Sequence, residues 1–228
     1  ELDKLPRRLV IVGGGYIGLE FASMFAGFGS EVIVLEGGDK FIAREDRDIA
    51  DAVKTVLEKK GITIRLNASV QSIEHNGSGA VITYKEKEGN EVQLPADAVL
   101  LATGRRPNTT DLHPEAAGIK ISDRGAVIVD GHLRTNVPNI WAMGDVTGGL
   151  QFTYISLDDY RVIKDQLFGN GRRTKDDRVA VAYSVFIDPP LSRIGMGEEE
   201  ALRSGRKISI ARMPAAAFPR TRTFEQTD

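Results

Sequence analysis

Leu9-Val10-Ile11-Val12-Gly13-Gly14-Gly15-Tyr16-Ile17-Gly18 is the stretch that decides the fold. Four consecutive apolar residues, three of them β-branched, read as a parallel strand covered on both faces. Gly13-x-Gly15-x-x-Gly18 follows at once and opens a helix, which is the arrangement of a dinucleotide site. Each glycine has a mechanical role. Gly13 permits the tight turn, Gly15 removes the Cβ that would stand between backbone and a pyrophosphate, and Gly18 lets the helix pack closely on the strand. The N–H groups of the helix start, with the helix dipole, favour the diphosphate there.

Working outward, Ile17, Leu19, Phe21, Met24, Phe25 and Phe28 recur at three- and four-residue steps. That spacing predicts an amphipathic helix over 16–28, closed by Gly29. A second buried strand over 32–35 completes a β-α-β unit and ends in Glu36, eighteen residues after Gly18. A carboxylate at that point accepts hydrogen bonds from ribose hydroxyls and repels a 2′-phosphate, which favours NAD over NADP. Lys40 and Arg44, close by in sequence, keep a phosphate-accepting site open as the other reading.

Residues 46–60 are amphipathic, with Ile49, Val53, Val56 and Leu57 on one face, and Gly61 ends them. A third strand is expected over 62–66. From 70 to 94 the pattern changes to apolar–polar alternation, punctuated by Asn76-Gly77 and Gly89-Asn90. Those dipeptides are hairpin signals, so an antiparallel meander is predicted. A buried strand over 98–102 then runs into Thr103-Gly104. Strands near 126–130 and 140–143, a helix over 152–168, a linker at 169–173 and a strand over 179–187 complete the expected order.

The composition narrows the function. The chain has 228 residues, with 30 Lys plus Arg against 32 Asp plus Glu, for a formal charge of −2. That balance argues against the basic stripe of a nucleic-acid binder and against a polybasic membrane-surface protein. No apolar run approaches the roughly 18–20 residues of a membrane-spanning helix. There is no cysteine, which excludes a disulfide scaffold or thiol catalysis by this stretch. Three scattered histidines, His75, His113 and His132, read as turn or surface residues, and no metal site is expected. The chain begins at Glu1 and ends at Thr227-Asp228 without a terminating pattern, which reads as a fragment of a longer protein.

Three motifs carry a resemblance. They are Gly13-Gly14-Gly15-Tyr16-Ile17-Gly18-Leu19-Glu20, then Ala102-Thr103-Gly104-Arg105-Arg106-Pro107-Asn108, then Thr135-Asn136-Val137-Pro138-Asn139-Ile140-Trp141-Ala142-Met143-Gly144-Asp145. Together they resemble the flavin-dependent pyridine nucleotide–disulfide oxidoreductases, such as glutathione reductase, lipoamide dehydrogenase and mercuric reductase. Pro190-Leu191-Ser192-Arg193-Ile194-Gly195-Met196-Gly197-Glu198 adds weaker support, being similar to the opening of that family's dimerisation domain.

The resemblance implies an α/β fold. A short linker over 1–6 would lead into a Rossmann-like NAD-binding domain over 7–104, a parallel sheet with a β-meander crossover. The C-terminal part of a FAD-binding domain would cover 105–178, and the truncated start of an α+β dimerisation domain would cover 179–228. Tyr16 matches the ring that gates the flavin, and Glu20 the carboxylate that pairs with a flavin-side lysine. NAD contacts are implied for Gly13, Gly14, Gly15, Tyr16, Ile17 and Gly18. They are implied also for Glu36, Gly37, Val70, Thr103 and Gly104. FAD contacts are implied for Gly144, Asp145, Gln151, Phe152 and Thr153, the Gln-Phe pair being similar to that of mercuric reductases.

Gly37 and Ala43 fall where NADP-using members carry arginines, so NADH is the expected donor. The family's first FAD motif, its CxxxxC pair and its catalytic histidine have no match here. The implied parent is a cytoplasmic homodimer acting on a small-molecule acceptor, with no nucleic-acid or membrane partner. A flavoprotein of the NADH oxidase, peroxidase or ferredoxin reductase type is the competing enzyme reading. An inert nucleotide-binding module is the competing reading for the isolated segment.

Overall fold

The computed structural model describes residues 2–75, 77 and 79–219. They form two compact units: one holds the described residues up to Gly104 and those from Ala182, the other Arg105–Val181.

In the first unit, β1 (Arg8–Val12), β2 (Glu31–Leu35), β3 (Thr63–Arg65) and β7 (Ala98–Leu101) make a parallel sheet in the order β3-β2-β1-β7. Helices α1 (Tyr16–Gly27) and α2 (Arg47–Lys59) connect the first three strands. Between β3 and β7 lies an antiparallel meander of β4 (Ser69–His75), β5 (Ala80–Lys85) and β6 (Glu91–Ala96). The Asn76 half of the first hairpin signal lies outside the described residues.

Successive strand residues point to opposite faces, and here each face has its own core. Leu9, Ile11, Val32 and Val34 join the larger cluster with Leu19, Ala22, Val53 and Leu57 from the helices. Val10 and Leu35 join the smaller one with Ile82, Tyr84 and Ala96 of the meander. This double coverage is why β1 and β2 read as unbroken apolar runs rather than alternating ones.

Several expectations are corrected. On α1 the buried residues are Gly18, Leu19 and Ala22, whereas Ile17, Phe21, Met24 and Phe28 stay exposed. Leu19 and Ala22 pack into the core, and Gly18 has no room for a side chain, since a Cβ there would stand 2.1 Å from the Gly13 carbonyl oxygen of the turn and 3.4 Å from Ile11 of β1. On α2, Ala50 rather than Ile49 completes the buried face with Val53 and Leu57. β7 is an edge strand and is not fully buried; Leu101 is exposed. β8 (Ala182–Val185) is shorter than the expected 179–187 strand, and Val179 is exposed.

β8 pairs antiparallel with β9 (Leu191–Ile194), and α4 (Glu198–Arg203) follows. Val185, Ile187 and Leu191 sit in the first unit's larger cluster. Within 1–6, Pro6 is buried and its carbonyl accepts the Ser30 hydroxyl at 2.6 Å.

The second unit is built on α3 (Thr153–Phe168), with Ile155, Asp159 and Val162 buried. The strands expected near 126–130 and 140–143 do not form. Each is reduced to one isolated bridge, Ile121 with Val127 and Arg134 with Trp141. The chain turns too soon for more: Gly125, Leu133 and Asn139 have φ of 82°, 62° and 64°. Among the described residues no helix is long and apolar enough to cross a membrane.

Candidate functional site

The turn between β1 and α1 shows what each glycine does. Gly13 has φ 107°, and a Cβ there would lie 2.4 Å from the Ala102 carbonyl oxygen, so both conformation and space demand glycine. Gly15 differs. Its φ of −75° suits any residue, and a Cβ there would meet nothing within 4 Å. The fold does not need glycine at position 15, and what its absence of side chain leaves is clear space in front of the helix start. α1 has no side-chain cap and no acidic residue in its first turn, so its first N–H groups have no intrahelical acceptor.

Glu36 is half-buried at the end of β2 and is aimed at this turn. Its Oε2 accepts the Gly14 N–H at 2.7 Å and its Oε1 the Gly38 N–H at 2.8 Å. Each oxygen has a second lone pair, so a carboxylate held this way still accepts ligand hydroxyls. Gly37 and Gly104 border open space, and Thr103 is exposed. Val70 packs into the smaller core beside the sheet. The residues present thus fit a dinucleotide: a cradle a Cβ would fill, unpartnered helix N–H groups, and a fixed carboxylate.

Tyr16 and Glu20 are both engaged within the unit. The Tyr16 hydroxyl donates to Glu45 Oε1 and lies 3.2 Å from the Tyr183 hydroxyl. Burial, then the bond to Glu45, pushes its phenol well above the ordinary tyrosine range. Glu20 Oε1 accepts the Phe186 N–H at 2.9 Å. Among the described residues Glu20 has no ion pair with a lysine or arginine. Sequence reading missed Glu45 and Tyr183, which carry no local motif, and gave Arg193, inside the 190–198 stretch, no role of its own.

In the second unit, Gly144 has φ 73° and its N–H donates 2.7 Å to Asp159 Oδ2. A Cβ on Gly144 would stand 2.8 Å from Ser156 Oγ. Asp159 is 2% exposed, and its Oδ1 pairs with Arg178. Asp158 pairs with Arg178 at 2.7 Å and with Arg173. Burial would raise the Asp158 carboxyl, but the two guanidiniums outweigh it and hold it below the usual carboxylate range. Asp145 lies 3.1 Å from Arg105, which also donates 3.0 Å to the Gln151 carbonyl. Arg105 thus ties the second motif to the third. Phe152 precedes α3 and stacks on Tyr154 at 5.5 Å, and Thr153 is the first helical residue. The glycine with positive φ and the exposed side of Asp145 fit one edge of a flavin nucleotide.

The buried Asp159 did have a sequence signal. It shares a helix face with Ile155 and Val162, four before and three after, where a charge is out of place unless paired.

The family described as pyridine nucleotide-disulphide oxidoreductase matches residues 1–159. The probable pyridine nucleotide-disulfide oxidoreductase RclA of Escherichia coli is 54% identical over the whole chain, which spans 50% of that protein. Its structure, described as a HOCl-induced flavoprotein disulfide reductase in complex with Cu(II), superposes with a TM-score of 0.92 over 100% of this chain and 51% of that one. Dihydrolipoyl dehydrogenase of Bacillus subtilis is 36% identical over 100% of this chain and 48% of its own. LpdA of Mycobacterium tuberculosis is 27% identical with a TM-score of 0.88, over 99% of this chain and 48% of that one. The chain spans about half the length of the curated relatives it matches. It belongs to the pyridine nucleotide-disulphide oxidoreductases, a family of flavoproteins with a redox role that use pyridine nucleotides.

Proposed function

We propose that this chain is the nucleotide-binding portion of a flavoprotein oxidoreductase that passes a hydride from NADH to FAD and the electrons on to a disulfide or a metal ion. The observation that carries the reading is Gly15. The fold leaves that position unconstrained, and a Cβ there would project into open space at the start of α1. Helix N–H groups face this space, and a diphosphate is the ligand that suits them. NADH rather than NADPH is favoured because Glu36, held by Gly14 and Gly38, puts negative charge where a 2′-phosphate would sit.

Bound FAD supplies the two-electron chemistry. The chain's own residues bind and orient. Gly144, Asp145, Gln151, Phe152 and Thr153 would hold the flavin nucleotide's edge, with α3 offering its N-terminal end to the ring carbonyls. Tyr16 would cover the flavin until the nicotinamide displaces it, and Glu20 would pair with a lysine supplied by the rest of the protein. The likeness to RclA supports both acceptor classes, since that protein is described as a disulfide reductase and was solved with Cu(II). By likeness to the family, the working enzyme is a cytoplasmic homodimer.

Gly15→Val tests this cleanly because a Cβ at that position meets no protein atom within 4 Å and the backbone there suits any residue. Thermal stability should stay within about 0.5 kcal/mol of the parent's. NADH affinity, measured by calorimetry, should fall on the order of 100-fold, the equivalent of two lost charge-assisted hydrogen bonds. Unchanged NADH affinity in a stable variant removes the nucleotide reading.

A further inference from the structure

Glu45 belongs to none of the motifs. It lies in the segment between β2 and α2, 5% exposed. Its Oε1 accepts the Tyr16 hydroxyl and, at 2.5 Å, the Tyr183 hydroxyl, while Arg193 stands 3.4 Å from its Oε2. The two tyrosine rings lie 5.7 Å apart. Three separate segments, those of Tyr16, Tyr183 and Arg193, therefore converge on one buried carboxylate. Such a group is costly to bury unless it is paired and hydrogen-bonded, as this one is.

The backbone beneath Glu45 is fixed as well. Ile42 has φ 33°, a conformation that β-branched residues avoid. Arg47 holds that conformation in place by donating to three carbonyls, those of Phe41 at 3.0 Å, Ile42 at 2.9 Å and Glu45 at 2.5 Å. Arg193 adds a fourth tie, 2.9 Å to the Arg44 carbonyl. A strained segment held this firmly persists where the surroundings over-determine it, and that is a mark of function.

We propose that Glu45 is a positioning residue that latches the Tyr16 ring, so that NADH binding must break the Tyr16–Glu45 hydrogen bond. This rests on the reading of Tyr16 as the nicotinamide gate. The latch is built to open. When Tyr16 leaves, Tyr183 stays on Oε1 and Arg193 beside Oε2, so the buried charge keeps partners in both states. The Tyr16 hydroxyl is the donor to this carboxylate, and burial, then the bond to Glu45, pushes its phenol further above the ordinary tyrosine range. Latch strength is subtracted from NADH affinity, as for any ligand that must shift a conformational equilibrium.

The test is a double-mutant cycle on the full-length flavoenzyme, reading the NADH dissociation constant and the KM of the electron acceptor. Tyr16→Phe keeps the ring and removes the latch, and should tighten NADH about tenfold, the worth of one hydrogen bond to a charged group. Glu45→Gln should tighten it about threefold, since an amide oxygen accepts more weakly than a carboxylate. The double variant should bind no tighter than Tyr16→Phe alone. The acceptor KM should not move in any of them. Tyr183→Phe should act in the opposite direction. It leaves Oε1 to Tyr16 alone, strengthens the latch and weakens NADH about threefold. A merely structural role does not give opposite signs.

Unchanged NADH affinity in Glu45→Gln, or an effect that adds in full to that of Tyr16→Phe, overturns the latch. If Glu45→Gln does not fold, Tyr183→Phe decides: unchanged or tighter binding overturns it. Tyr16→Ala separates the two ideas. If it alters neither NADH affinity nor the rate of flavin reduction, the gate itself is wrong; if it alters them while Glu45→Gln does not, only the latch is.

Discussion

The two units each contain a glycine turn beside a carboxylate, and the two turns are finished differently. In the first, Glu36 is satisfied by backbone N–H groups of Gly14 and Gly38, and the space before Gly15 holds no protein atom. In the second, the Gly144 N–H goes to Asp159, Asp159 goes to Arg178, and Arg178 goes on to Asp158. One turn keeps open space before it, and the other is locked by two carboxylates of α3, Asp159 buried and Asp158 half-buried, that pair with Arg178. The difference predicts that substitutions at Gly15 and Glu36 of the first turn cost ligand affinity, whereas substitutions around the second cost stability.

The largest effect should come from Asp159→Ala. It strands the Gly144 N–H and leaves Arg178 with one partner in a half-buried position. Breaking a buried charge pair from one side costs about 3–5 kcal/mol. The single tryptophan, Trp141, lies in the same unit and reports its urea unfolding by fluorescence. Asp159→Asn, which still accepts from Gly144, should fall between parent and Ala. A loss below about 1 kcal/mol would mean that the second turn is no more locked than the first.

Glu36 sharpens the other side of the comparison. Glu36→Arg should shift the ratio of NADH to NADPH affinity about tenfold or more toward NADPH, through lost ribose hydrogen bonds and gained attraction for the 2′-phosphate. Glu36→Gln should move it less, because the amide oxygen can still accept from Gly14 while the charge is gone. Parallel titrations with both nucleotides measure the ratio. A ratio unchanged in both variants removes Glu36 from the ribose site, with Lys40 and Arg44 the nearest alternatives in sequence.

What the sequence made legible follows the same division. The β1–α1 turn was readable because its determinants are local: strand, glycines and helix lie within one short stretch, and Glu36 ends the next strand. The α1 stripe misled because periodicity records which residues share a face, not which face is buried. There the buried face is Gly18, Leu19 and Ala22, and Phe21 and Met24 stay outside. The strands near 126–130 and 140–143 failed because apolar runs carry no record of the left-handed residues that turn the chain away. Glu45 with Tyr183, and Asp158 with Arg178, were invisible for a different reason. Their pairing is a product of the folded topology, and no spacing rule reaches across 138 residues from Glu45 to Tyr183.

The smallest effect separates the turns by pH. Asp158 is held below the ordinary carboxylate range, with burial opposing and Arg178 and Arg173 prevailing. A carboxyl whose folded pKa is depressed contributes stability above its unfolded value of about 3.9, and that contribution disappears as pH falls through the folded value. The unfolding free energies of Asp158→Asn and parent should therefore differ by a constant amount from neutral pH down to about 4, then converge below it. Arg173 is 46% exposed, so its half of the pairing is screened by water, and the plateau should be about 1 kcal/mol or less. Trp141 fluorescence can follow the convergence in the second unit. A gap that persists undiminished to pH 2 would show that Asp158 acts by packing rather than charge, and the second turn would then be held by Asp159 and Arg178 alone.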